Sequence, residues 1–205
     1  PEASRLVAEA EELVGYGLYI DLLGPLAIGK ERSDFPLGGE EARCRYALEQ
    51  AGKGKNVALV CSGDAGIYAM GALVFELLDR SEADLGVSDA ARRIEVVCSP
   101  GVSALQGAAA RAGAPLGHDF CTINLSDNLK PWALIEKRLR LAAEADFAMA
   151  FYNPRSASRP EGFVRTLEVL REACGDDRPI LFARAVSTPD QVLRIVPLTE
   201  ATPEM

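Results

Sequence analysis

The stretch VALVCSGDAGIYAMGALVFELL, residues 57–78, decides how this chain folds. Its first five residues, Val57 to Cys61, are apolar and fit a parallel strand that is buried on both faces. Its last part carries a single charge, Glu76, and fits a largely buried helix. Between them, Ser62 to Gly66 brings two glycines, a hydroxyl and a carboxylate to the carboxyl end of a strand, where α/β sheets open a crevice for ligands. The sequence therefore predicts a βα unit with a ligand-binding turn.

This turn does not match the common phosphate-binding motifs. It is neither G-x-G-x-x-G nor a Walker loop, because no lysine follows Gly66. The acidic Asp64 suits a hydroxyl or amine partner better than a phosphate, which indicates a nucleoside or amino-acid moiety. The alternative is a plain βα loop in which Asp64 caps the following helix. Spacing alone leaves both interpretations open.

Length and composition limit the class of protein. With 205 residues, 48% of them apolar, the chain can bury the core of one large or two small domains. The formal charge of −8 disfavours nucleic acid and acidic membranes as partners, so an anionic substrate needs a local basic pocket. No apolar run approaches the roughly 20 residues that span a bilayer, and no basic leader is present, which predicts a soluble cytoplasmic protein. The five scattered cysteines fit free thiols better than disulfides or a metal site.

Strands and helices alternate along the chain, which predicts an α/β fold with mostly parallel sheets. The predicted strands are 13–16, 57–61, 94–98, 120–125, 146–151, 180–183 and 192–198, the last as an edge or antiparallel strand. Residues 28–41 are polar and are predicted to form a loop. We expect two units, residues 1–118 and 119–205, that meet near Gly117 to Phe120.

Two groups of polar residues stand out beyond the first turn. His118 is the only histidine; a lone histidine is more often structural than catalytic, but its place between the two expected units keeps a role in proton transfer open. Arg155 and Arg159 follow a predicted strand, where open α/β sheets usually keep ligand contacts.

Five segments together resemble one enzyme family. They are CSGDAGIYAMG (61–71), SPGVSALQGAAARAGAPLGHDF (99–120), LSDNLKPW (125–132), FYNPRSASRP (151–160) and ARAVSTPDQ (183–191). In this order they resemble the tetrapyrrole methylases, the S-adenosylmethionine-dependent enzymes of corrin and siroheme synthesis. The resemblance is greatest to the branch that methylates C17 of precorrin-3B with ring contraction. It implies two αβα domains with S-adenosylmethionine in the cleft between them and, because relatives dimerise, a homodimer.

The resemblance also implies which residues contact the cofactor. These are Gly63, Asp64, Ala65, Gly66, Ile67, Ser103, Ala104, Phe151, Tyr152, Ala185 and Val186. Ring contraction requires proton movement, for which His118 and Asp64 are the candidates. The substrate's carboxylates require cations and polar groups, for which the candidates are Ser126, Asp127, Asn128, Lys130, Arg155 and Arg159. No bound metal is expected.

The sequence departs from the family pattern at its two ends. The family's opening strand with a G-x-G-P-G turn is expected before Pro1, and a final strand after Met205, but this sequence contains neither. Without them we expect an incomplete site, which motivates the hypothesis of a non-catalytic binding protein.

Two further alternatives concern the chemistry. A nucleotide-dependent oxidoreductase requires a G-x-G-x-x-G turn with an acidic residue about 20 residues later, which is absent. Within the family, we expect the cobalt-free precursor of the aerobic route, with the cobalt-containing substrate as the alternative.

Overall fold

The computed structural model describes residues 2–155 and 160–205, in which helices and strands alternate as predicted. The helices are α1 (Glu2–Glu9), α2 (Gly17–Asp21), α3 (Glu40–Gly52), α4 (Gly71–Asp79), α5 (Ala104–Arg111), α6 (Trp132–Glu144) and α7 (Glu161–Ala173). The strands are β1 (Glu12–Tyr16), β2 (Glu31–Phe35), β3 (Val57–Val60), β4 (Phe120–Asn124), β5 (Ala148–Tyr152), β6 (Pro179–Arg184) and β7 (Val192–Pro197). The predicted α/β class is confirmed.

The chain forms two compact units, which divide between Ser103 and Ala104. From the sequence we expect the division after His118, between residues 1–118 and 119–205. Helix α5 groups with the second unit because its Leu105 N–H donates to the hydroxyl of Tyr152, at 3.1 Å, and its Gly107 lies against Val186.

The first unit contains a parallel sheet with strand order β2-β1-β3. Glu12, the first residue of β1, pairs with Glu31 of β2 and with Val57 of β3, so the three strands begin together. Their carboxyl ends therefore share one edge of the sheet, and the segments that follow all three strands emerge there.

Side chains of β3 alternate between two apolar clusters, as the two faces of a strand require. Ala58 and Val60 join a cluster around Leu13 and Ile20, whereas Leu59 joins the cluster that lies under α3 and α4. Helices thus cover both faces of the sheet. Of the four β3 residues, Val60 alone is fully buried, so the strand is less enclosed than its sequence predicted.

The second unit contains two small sheets. Strands β4 and β5 pair in parallel, from Phe120 opposite Ala148 onward, and β6 and β7 pair antiparallel. The prediction that the last strand is an edge or antiparallel strand is confirmed. One apolar cluster joins α6 and α7 to these strands, and each of its fully buried leucines, such as Leu139 and Leu167, contributes on the order of 2 kcal/mol to folding.

Strand β2 lies inside the segment that was predicted as a polar loop, so that prediction is wrong. Its sequence, ERSDF, has no fully buried residue. An edge strand can be polar because one side of its ladder is open. Here Ser33 also donates a hydrogen bond of 2.8 Å to the buried carboxylate of Glu12 on the central strand.

The predicted strand at residues 94–98 is not formed. Ile94 is extended, with φ −74° and ψ 155°, and both Ile94 and Val96 pack in the same apolar cluster as Leu59. The segment has no ladder partner among the described strands. Ile94 and Val96 therefore pack against the core, although the segment makes no strand pairing with the described strands.

None of the helices in residues 2–155 and 160–205 has the length and apolar character needed to cross a membrane.

Candidate functional site

The turn after β3 is held by its own hydrogen bonds. Gly63 has a positive φ of 80°, which a glycine adopts without strain. The Asp64 carboxylate accepts from the Gly66 N–H at 2.8 Å, the pattern of an Asx turn, and the Asp64 carbonyl accepts from the Ile67 N–H at 3.2 Å. Helix α4 begins only at Gly71, so the interpretation of Asp64 as its cap is wrong.

The second carboxylate oxygen of Asp64 reaches the other predicted turn of the first unit. It accepts from the Gly101 N–H at 2.9 Å. A Cβ at Gly101 would overlap the carbonyl oxygen of Gly63, and a Cβ at Gly63 would lie 3.6 Å from Ser103 Cα. The structure therefore brings together the first and second turns, both of which the family resemblance predicts to contact the cofactor.

These bonds fix the charge of Asp64. The N–H groups of Gly101 and, to a lesser extent, Gly66 lower the pKa of Asp64 below its ordinary value, because they stabilise the carboxylate. Asp64 is thus ionised at neutral pH with both oxygens engaged. Asp64 therefore links the two turns through its two carboxylate oxygens.

In the second unit, three of the predicted cofactor residues lie around α5. Ala104 begins this helix, Tyr152 accepts from its second N–H, and a Cβ on Gly107 would lie 3.4 Å from Cγ1 of Val186. Ala104, Tyr152 and Val186 also line a cavity of about 1160 Å³ in this unit.

Two residues that directly follow strands of the second unit have left-handed backbone. Asn153, after β5, has φ 51°, and Ala185, after β6, has φ 49°. This region costs a residue other than glycine on the order of 1 kcal/mol, and such strain concentrates at functional sites. The backbone at Asn153 and Ala185 is therefore strained where β5 and β6 end, and Asn153 directly follows Tyr152.

A second cavity, of about 740 Å³, lies in the first unit. Its lining includes Cys61, Gly63, Ala65 and Gly101, from the two turns that Asp64 joins. Both cavities are within or slightly above the size range of ligand pockets.

The remaining predicted residues are more dispersed. His118 is exposed in the loop before β4 and makes no hydrogen bond within the part of the chain that the structure describes. Lys130 donates to the carbonyl of Ser126 at 2.8 Å, so it stabilises the loop that contains the exposed Asp127 and Asn128.

Of the two predicted arginines, the structure describes Arg155 alone. The guanidinium of Arg155 is exposed and donates to the Pro203 carbonyl at 2.7 Å. It also borders the cavity of the second unit. Arg159 lies outside the described residues.

The sequence contains no signal for the burial of Arg43, on the first turn of α3. Its side chain is buried, with 3% exposure, together with the apolar residues Cys44, Ala47 and Leu48 of the same helix. Burial raises the pKa of the Cys61 thiol, and the positive charge of Arg43 opposes this rise. An arginine at such a position reads as solvent-facing in sequence, and no motif marks it.

No group of three histidine, cysteine or acidic side chains that could hold a metal ion occurs among the described residues.

Comparison with known proteins identifies the family. The profile of the tetrapyrrole (corrin/porphyrin) methylases matches residues 1–202. The chain belongs to the tetrapyrrole methylase family. This confirms the resemblance carried by the five sequence segments.

Individual members of this family are similar to the chain over most of its length. A precorrin-3B C(17)-methyltransferase of Sinorhizobium sp is 44% identical over 98% of this chain and 76% of its own. A probable cobalt-factor III C(17)-methyltransferase of Salmonella typhimurium is 42% identical over 87% of this chain and 70% of its own.

Solved structures of tetrapyrrole methylases share the fold. The methyltransferase CobJ superposes with a TM-score of 0.90 at 50% identity, covering 100% of this chain and 82% of its own. A uroporphyrin-III C-methyltransferase from Thermus thermophilus, complexed with S-adenosyl homocysteine, has a TM-score of 0.65 at 22% identity and covers 97% and 77%. At that identity the second likeness concerns the fold alone.

Proposed function

We propose that this chain transfers a methyl group from S-adenosylmethionine to C17 of precorrin-3B, coupled to the ring contraction that gives precorrin-4. The observation that carries the proposal is the 44% identity, over 98% of the chain, with an enzyme named for methylation of precorrin-3B at C17. The 50% identity with CobJ supports the same activity.

S-adenosylmethionine is the proposed methyl donor because a methylase of the same fold has S-adenosyl homocysteine bound. The first turn supports this assignment, since Ser62 and Gly63 are exposed. When bound, the donor supplies an electrophilic methyl group on a sulfonium. The residues predicted to contact it in each unit are part of this proposal.

Methyl displacement requires alignment and exclusion of water more than acid–base chemistry. Asp64 meets the first requirement, since its carboxylate fixes the two turns of the first unit relative to each other. We therefore assign Asp64 to positioning. Of the two predicted acid–base candidates, His118 has a ring without protein hydrogen bonds among the described residues, and we assign proton transfer during ring contraction to it.

We assign binding of the substrate's carboxylates to Lys130 and Arg155. The loop of Ser126, Asp127 and Asn128 is part of the same proposed site. Each of these cations donates to a backbone carbonyl, and each carries a positive charge that attracts a carboxylate. Arg159 belongs to the same proposal from its sequence position.

The deciding experiment is incubation of the protein with methyl-labelled S-adenosylmethionine and precorrin-3B, followed by mass analysis of the tetrapyrrole. We expect transfer of one labelled methyl group, and S-adenosyl homocysteine binding in calorimetry. Binding without transfer would support the non-catalytic alternative, and neither binding nor transfer would reject the proposal.

The 42% identity with the Salmonella cobalt-factor III methyltransferase favours a second candidate substrate, the cobalt-containing one. Competition between precorrin-3B and cobalt-factor III in the same assay separates the two, and we expect the metal-free substrate to be preferred.

The proposal also includes a homodimer and a cytoplasmic location. Light scattering of the purified protein at several concentrations tests the dimer, for which the expected mass is twice 21.9 kDa.

A further inference from the structure

The first turn of α3 contains a buried positive charge that its neighbours compensate poorly. Arg43 is 3% exposed, and its Nε has no hydrogen-bond partner among the described residues. The guanidinium makes one hydrogen bond within that part of the chain, from Nη2 to Glu40 Oε1 at the long distance of 3.4 Å. Since a buried, poorly paired charge is costly, an additional anion would stabilise this arrangement.

The guanidinium lies at a helix end that itself attracts anions. Helix α3 has 13 residues, begins at Glu40 and has no side-chain cap at Gly39. Its first N–H groups are therefore unpaired within the helix, and its dipole is positive at this end. Helical side chains lean toward the N-terminus, and the Arg43–Glu40 bond shows that the guanidinium does so here.

The protein's own carboxylate already shows where an anion binds. Glu40 Oε1 accepts from Arg43 Nη2 and also from the Gly38 N–H, at 3.1 Å. The bond from Arg43 is long, at 3.4 Å, and the Glu40 side chain is 47% exposed, so another carboxylate can displace it at small cost.

We propose that the Gly38 N–H, the N-terminus of α3 and the Arg43 guanidinium form a binding site for a carboxylate group of a ligand, with Glu40 as the internal competitor. The site follows β2 at the edge of the sheet where the Asp64 turn follows β3. Leu37, beside it, is 67% exposed. An apolar surface next to an anion site suits a molecule with an apolar body and peripheral carboxylates.

The identity of that molecule rests on the proposed function, which offers two sources of a carboxylate. One is the tetrapyrrole, and the other is the amino-acid end of S-adenosylmethionine. The chemistry at the site is the same for both, so the two ligands are measured separately.

The test compares Arg43→Met and Glu40→Gln with Glu41→Gln as the matched control. Glu41 lies on the same helical turn but pairs with Arg45, at 2.8 Å, instead of Arg43. The probes are uroporphyrin III, a stable tetrapyrrole with eight carboxylates, followed by fluorescence titration, and S-adenosyl homocysteine, followed by calorimetry.

We expect Arg43→Met to weaken uroporphyrin III binding about tenfold, the effect of losing a charged hydrogen-bond donor. Glu40→Gln should tighten the same binding severalfold, and Glu41→Gln should leave it unchanged. Melting temperature should not fall in Arg43→Met, because an apolar side chain replaces a poorly paired buried charge. If that variant nevertheless misfolds, Glu40→Gln decides the question alone.

The outcomes separate the site from the proposed function. Changes confined to S-adenosyl homocysteine would support the site and identify the cofactor as its carboxylate source. If the unmodified protein binds both probes and Glu40→Gln and Arg43→Met alter neither affinity, the site is rejected while the methylase function stands. If the unmodified protein binds neither probe, both proposals are overturned.

Discussion

Asp64 and Gly101 are 37 residues apart in sequence, yet the carboxylate of one accepts the backbone N–H of the other at 2.9 Å. The same carboxylate also closes its own turn through Gly66. One side chain therefore sets the position of two loops that were predicted separately from their sequences.

The first prediction separates positioning from acid–base catalysis at this residue. In Asp64→Asn the amide cannot accept at both positions, and in Asp64→Ala neither bond forms, so we expect the KM for S-adenosylmethionine to rise severalfold, more in Asp64→Ala. We expect kcat to change by less than about threefold, since neither bond belongs to the reacting groups. Steady-state kinetics at saturating tetrapyrrole measures both. A kcat lowered by orders of magnitude with an unchanged KM would instead identify Asp64 as an acid or base.

The second prediction concerns the close approach of the two loops. Gly101→Ala places a Cβ onto the carbonyl oxygen of Gly63 and 2.9 Å from its carbon. Overpacking of this kind costs roughly 1–3 kcal/mol of unfolding free energy, and we expect S-adenosyl homocysteine affinity to fall with it. Urea denaturation and calorimetry report the two effects. The control is Gly117→Ala, where the nearest atom to the new Cβ is 3.8 Å away; equal losses in both variants would refute the contact argument.

The third prediction addresses the hydroxyl of Tyr152. Tyr152→Phe removes the acceptor of the Leu105 N–H at the start of α5 while it keeps the ring. We expect a loss of about 1 kcal/mol in the free energy of unfolding, as for the loss of a helix cap. Tyr19→Phe is the control, because the Tyr19 hydroxyl has no hydrogen bond within the described chain. Thermal unfolding of the two variants should differ by a few degrees, and identical curves would speak against the role of the bond.

The fourth prediction concerns the carboxylate of Glu12. This residue begins β1 and lies at the amino-terminal end of the strands, away from the Asp64 turn. Glu12 is 1% exposed and accepts from Lys55, Ser33 and Tyr46, at 2.9, 2.8 and 2.9 Å. Burial alone would raise its pKa, but these bonds and the charge of Lys55 outweigh burial, so the pKa lies below its ordinary value of 4.5. The resulting stability is present above pH 4.5 and is lost as pH falls through the lower folded value.

Glu12→Gln should therefore cost about 2 kcal/mol at pH 7 and reduce the decline of stability between neutral and acidic pH. Denaturant unfolding across pH 3 to 7 measures this slope. Glu9→Gln, which removes an exposed pair with Arg5, should change stability by less than about 1 kcal/mol. A variant that loses stability equally at every pH would show that the Glu12 charge is not the cause.

Much of the fold was accessible from sequence because apolar runs and glycine turns report local structure directly. The segment 57–78 was predicted to contain a strand, a turn and a helix, and it forms β3, the Asp64 turn and α4. Strand β2 was missed because an edge strand of polar residues has no periodicity to detect. The strand expected at 94–98 failed for the reverse reason, since apolar residues can reach a core without ladder bonds.

The candidate site was less predictable than the fold. That residues 62–66 and 99–103 belong together follows from the family resemblance, but the bond between Asp64 and Gly101 depends on tertiary structure. The burial of Arg43 has the same origin: its neighbours in sequence do not show that α3 turns this side chain inward. A contact between residues that are distant in sequence produces no local sequence pattern from which it could be predicted.

The way Asp64 holds Gly101 also bears on how this enzyme can change over evolution. A clasp made by one carboxylate and two glycines does not depend on the chain that runs between them. Within the connector from Asp79 to Arg93, Val87 and Ala91 are buried in the core, whereas Ser81, Ala83 and Asp84 are exposed, so this exposed part can gain or lose residues without moving either end of the clasp. Length variation among relatives should therefore accumulate there, while the two fastened loops keep their spacing.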